Sequence, residues 1–160
     1  MKAHNGYPLS RNRKALRRLY TLTLIVMGFT GFGQMPIFKR YYLSDIPGMG
    51  WTADFYLTHF IHYIGAIFLI GLISYSILDY LLSGRREFRL TSSAYVRIVL
   101  LGAIITTGIL RVLKNLPDVV FSPNFTLFID VSHLGFMMLY LLMALFFVIV
   151  RSGWVVRKSF

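Results

Sequence analysis

Long apolar runs alternate with short polar segments along nearly the whole chain, and the polar segments are either basic or punctuated by Gly and Pro. A helix needs about 20 predominantly apolar residues to cross about 30 Å of hydrocarbon. The runs predict spanning helices at about 19–38, 55–82, 94–113 and 125–150, the first closed by Pro36 near its far end. Gly and Pro mark the connection between the first two as a loop. The expected fold is all-α: an integral membrane four-helix bundle of up-down topology, forming a single domain over 1–160. No internal repeat or low-complexity segment stands out.

Charge adds an orientation. Of the 17 Lys and Arg, 13 flank the ends expected on one side of the membrane, in the N-terminal segment, the loop around Arg85 to Arg97 and the tail; Lys39, Arg40, Arg111 and Lys114 lie on the other. Lys and Arg accumulate on the cytoplasmic side of membrane proteins, so both termini and the middle loop are expected to be cytoplasmic. The net charge of +11 is therefore read as loop charge beside lipid, and nucleic acid is not an expected partner. Charged residues make up only 14% of the chain, against about 25% in soluble domains. The first apolar run is long and has no small-x-small cleavage pattern, so it is expected to stay as an anchor. There are no cysteines, which leaves out disulfides, thiolate zinc and Cys-held iron–sulphur clusters in this chain.

Ionisable residues inside spans are candidates for function. His4 lies in the N-terminal tail, whereas His59 and His62 are on the second expected span and His133 is on the fourth. His62 and His133 lie seven and eight residues past the expected starts at 55 and 125. Both helices run inward, so the two imidazoles are expected at one level in the outer half, on diagonal helices of a bundle. Two neutral imidazoles facing each other at one depth is what bis-His haem ligation requires. His59, one turn outward, is the alternative ligand, or a partner for a propionate or a quinone. Arg111, at the outer end of the third span, is a candidate propionate partner. Gly65, Ala66 and Gly135 near these histidines offer room for a flat macrocycle or for close helix packing.

At the level of motifs, RRLYTLTLIVMGFTGF, HFIHYIGAIFL and DVSHLGFMMLYLL resemble the small cytochrome b subunits of respiratory formate dehydrogenases and Ni–Fe hydrogenases. The resemblance covers the four spans. It implies an outer b haem with His62 and His133 as iron ligands. It also implies a second, inner haem, but Tyr20 and Thr21 stand where its first ligand belongs and ALFFVIV offers no second one. One haem b is therefore expected. The resemblance further implies a bacterial or archaeal inner-membrane location and iron–sulphur or catalytic redox subunits as partners. Electrons would then pass between the quinone pool (menaquinone included) and those subunits, with Gln34, Lys39, Tyr41, Asp54 and His59 as polar candidates beside an outer quinone. The chain has no nucleotide fingerprint and no nucleophile–base pair, so it is expected to act only within a complex. A non-haem anchor or assembly subunit is the alternative of a different class.

Overall fold

The computed structural model describes residues 11–35 and 43–158. It divides into two compact units, Met1–Ser83 and Gly84–Phe160, each built on one antiparallel helix pair. The first pair is α1 (Arg11–Gly33) with α2 (Phe55–Asp79), and the second is α3 (Ser92–Leu113) with α4 (Pro123–Ile149). Three of these helices are long and apolar enough to cross a membrane: α2 with its continuation to Glu87, α3 and α4. Their side chains are largely exposed, as at Ile67, Val99 and Val148, which suits apolar surroundings better than water.

α1 differs from the expected first span. From the first described residue, Arg11, it is already helical, because Arg, Lys, Ala and Leu are strong helix formers and carry the helix N-terminal to the apolar run. It stops at Gly33, with Met35 N–H turned back onto the Phe32 carbonyl at 2.9 Å. Glycine weakens the last turn, and the residue before Pro36 is pushed out of helical geometry. Residues 36–38 lie outside the described residues, as do His4, Lys39, Arg40 and Tyr41.

Each of the other starts is capped by its own side chain. Asp54 accepts the Leu57 N–H at 3.0 Å, Thr91 accepts that of Ala94 at 3.1 Å, and Ser122 accepts that of Phe125 at 3.3 Å. Such caps contribute about 1 kcal/mol each. They satisfy helix donors that have no partner within the helix.

In the first unit small residues set the helix contact. A Cβ on Gly33 would lie 3.5 Å from Thr58, and one on Gly65 would lie 2.6 Å from the Met27 sulphur. Met27 thus occupies the space over Gly65, so this glycine serves helix packing and does not open room for a macrocycle. Gly135, in the other unit, has nothing within 4 Å of the equivalent point.

The second unit carries a small sheet that amends the all-α expectation. β1 (Phe88–Leu90) pairs antiparallel with β2 (Val155–Arg157), joining the middle loop to the tail. Beside it Arg97 is 6% exposed. Its Nη2 donates to the Ser152 carbonyl at 3.0 Å, and its guanidinium lies 4.6 Å from the Phe147 ring and 5.0 Å from that of Trp154. A charge counted in the sequence as loop charge is therefore a packed part of this unit.

Candidate functional site

The two histidines expected on facing helices each sit against a threonine of the helix paired with their own. In the first unit α1 presents Thr30, which is buried at 1% exposure, to His62 of α2, with Oγ1 3.0 Å from Nδ1. In the second unit α3 presents the buried Thr107 to His133 of α4, again with Oγ1 3.0 Å from Nδ1. A glycine follows each threonine, and the imidazole edge lies over it. A Cβ on Gly31 would stand 3.4 Å from His62 Cε1, and one on Gly108 would stand 3.3 Å from His133 Cε1. Both rings are half-buried.

One turn along, each unit holds a second polar pair. His59 Nδ1 lies 3.1 Å from Gln34 Oε1 in the first unit, with the ring stacked on Phe55 at 5.3 Å and against Tyr63 at 4.2 Å. Gln34 Nε2 is buried and has no hydrogen-bond partner among the described residues. At the matching place in the second unit, Arg111 Nε donates to Asp130 Oδ1 at 3.0 Å and Lys114 Nζ to Oδ2 at 2.7 Å. Two cations thus share one carboxylate, and the group keeps a net positive charge.

Asp54 is exposed and caps α2; that role explains its position without a quinone. Lys39 and Tyr41 fall outside the described residues. Of the expected site residues, the structure brings Gln34 to His59, while His62, His133 and Arg111 acquire partners that the sequence reading did not assign: Thr30, Thr107 and Asp130. The signal was a Thr-Gly pair late in each first helix and an ionisable residue three before each key histidine. Equal depth, judged from span starts, is a poorer guide: α4 begins at Pro123, so His133 lies deeper into its helix than His62 does into α2.

A ligating histidine ordinarily has its other ring nitrogen hydrogen-bonded, which fixes the ring and raises its basicity. His62 and His133 both meet that condition through Nδ1, and the adjoining glycines let each ring lie close to its helix. Among the described residues no three His, Cys, Asp or Glu cluster as a metal site. A macrocycle with four nitrogens of its own asks the chain for only two imidazoles, and each unit presents one imidazole held in this way. Comparison with protein-family models, curated proteins and solved structures finds no match for this chain.

Proposed function

We propose that this chain is the membrane cytochrome b subunit of a bacterial or archaeal respiratory complex, in which His62 and His133 would be the residues that hold one b haem. The observation that carries the reading is the pair of Thr–His contacts, equal in length and atom for atom alike. Two histidines held by chance in membrane helices have no reason to share both a partner type and a bonded nitrogen. When bound, the haem supplies reversible one-electron transfer. The chain's part is to hold two imidazoles, to keep water from them and to hand electrons to iron–sulphur or catalytic redox subunits at the membrane surface.

On this reading the chain crosses the bilayer four times, with both termini on the cytoplasmic side. Support comes from the 13-to-4 division of basic residues and from the antiparallel packing of α1 on the span-length α2. The apolar part of α1 is short, and Lys14, Arg17 and Arg18 have stems long enough to reach the headgroups.

Quinone, on the same reading, binds at the outer end of the first unit. Gln34 Nε2 is a buried donor with no acceptor among the described residues, and a quinone carbonyl is one; the matching place in the second unit is closed by its own ion pairs. His59 beside it is a titratable group able to pass the proton that accompanies quinone reduction. Gln34→Leu is expected to slow quinol-driven haem reduction about tenfold, the worth of one lost hydrogen bond of about 1.4 kcal/mol, and to leave dithionite reduction unchanged. Equal rates for the two proteins would remove Gln34 from the quinone site.

The reading as a whole is tested by the reduced-minus-oxidised spectrum and haem content of the purified protein. A b-type α band with one haem per chain is expected. A protein that anchors its partners without haem would make it an assembly subunit instead.

A further inference from the structure

The two hairpins repeat one another in sequence register. Thr30, Gly31 and Gln34 of α1 have the spacing of Thr107, Gly108 and Arg111 of α3, and His59 and His62 of α2 have that of Asp130 and His133 of α4. The bonds repeat as well: Thr to His, and the residue four past each threonine to the residue three before each histidine. Burial follows the same register, since Thr23 matches Leu100, Thr58 matches Ile129 and Leu69 matches Tyr140, all of them buried. The match sets an internal repeat where the sequence showed none, because the surrounding apolar residues are interchangeable and carry no identity.

We infer that the chain is a tandem duplication of one helical hairpin, and that Thr30 and Thr107 are positioning residues that hold His62 and His133 as the Nδ1–H tautomer with the lone pair on Nε2. The proton assignment comes from the distances. Thr30 Oγ1 lies 2.8 Å from the Val26 carbonyl and Thr107 Oγ1 lies 2.7 Å from that of Ala103, the usual separation for O–H donating to oxygen. Each Oγ1 stands 3.0 Å from its imidazole Nδ1, the usual separation for N–H donating to oxygen. A hydroxyl has one proton. Given to the carbonyl one turn back, it leaves the oxygen as an acceptor, and the ring nitrogen facing it must then bring the hydrogen.

The tautomer has a chemical consequence. Neutral imidazole ligates through the nitrogen that carries no proton, and an N–H···O bond at the opposite nitrogen makes it a stronger donor. Each copy of the hairpin then presents one imidazole in the tautomer that binds a metal through Nε2, and on the haem reading the two copies would supply the two protein ligands. Gly31 and Gly108 let the ring edges lie against their helices, and at Gly108 a methyl group would stand 3.3 Å from His133 Cε1 and press the ring aside. The iron-binding half of this inference rests on the haem reading; the tautomer half does not.

The test uses the full chain with ¹⁵N-labelled histidine in lipid nanodiscs, before and after loading with haem. Before loading, His62 and His133 are expected to show a protonated Nδ1 and an unprotonated Nε2. Thr30→Val, which keeps the shape and removes the hydroxyl, is expected to mix the tautomers at His62 alone, and Thr107→Val at His133 alone; Thr→Ser at either place restores the original signals. Should a valine variant fail to fold, Thr→Ala at the same place removes the same hydroxyl, and Gly108→Ala disturbs the His133 bond, and each reads the same change. After loading, each valine variant is expected to raise the haem potential, because a less basic ligand stabilises ferric iron less, and serine again restores it. An Nε2–H tautomer in the original protein, or serine behaving as valine does, overturns the inference. A protein that takes up no haem yet shows the expected ¹⁵N signals would sink the haem reading and leave the threonine role standing.

Discussion

On the haem reading, His133→Ala is expected to abolish the low-spin b-type spectrum of the purified protein, and His62→Ala is expected to do the same. Each removes one of the two imidazoles that would hold the iron on that reading; around His133 the α4 neighbours are Ser132 and Leu134 and the α3 contacts are Thr107 and the Ile104 backbone, none of which replaces an imidazole. Loss of a partner that merely orients a ligand lowers affinity about 10–100-fold, so loss of a ligand itself is expected to exceed that and leave the purified protein depleted of haem. Haem that remains should be high-spin, and added imidazole should restore the low-spin band by filling the vacated position. His59→Ala is the control. Its ring is bonded to Gln34 and stacked on Phe55, and the band should survive its removal. A spectrum unchanged in His133→Ala, or lost in His59→Ala with His62 intact, would count against the assignment.

Arg97→Ala is expected to destabilise the second unit by about 2–4 kcal/mol. Hydrogen bonds involving a charged group are worth about 1.5–3 kcal/mol, and a desolvated guanidinium on an aromatic face about 2; the gross sum is reduced by the cost of burying the charge in the first place. Arg97 reaches Ser152, Phe147 and Trp154 at once. These hold the turn after α4, where Arg151 takes the left-handed conformation with φ 54°. β2 is tied to β1 by three residue pairs alone, so the tail should come loose before the helices part. The expected signs are a lower melting midpoint and early proteolysis after residue 150. Arg97→Lys keeps the charge, loses the flat stacking surface and should recover only part of the difference. An unchanged midpoint with an intact tail would show that this cluster is incidental.

Much of the architecture was legible along the chain. α2, α3 and α4 fall within a few residues of the runs that announced them, because span length is set by hydrocarbon thickness and that is a property of consecutive residues. α1 differs from its run: the basic flank before residue 19 is helical as well, and the described helix stops at Gly33. The strand pair was invisible because Phe88–Leu90 and Val155–Arg157 are each too short to show a pattern, and each becomes a strand only against the other. The candidate histidines were legible by their rarity in apolar helices, and their threonines were not, since Thr is unremarkable there.

The order of residues by itself determined which segments are lipid-length, which side gathers basic charge, and that His59, His62 and His133 are the ionisable groups worth asking about. Tertiary structure alone decided that Thr30 meets His62 and Thr107 meets His133, that Asp130 is shared by Arg111 and Lys114, and that the two hairpins repeat. The physical reason is that hydropathy is additive along a chain, whereas a hydrogen bond between antiparallel helices depends on their relative rotation and slide, which the packing of Gly33, Gly65 and Met27 in one unit and of Ser93, Arg97 and Ser152 in the other sets.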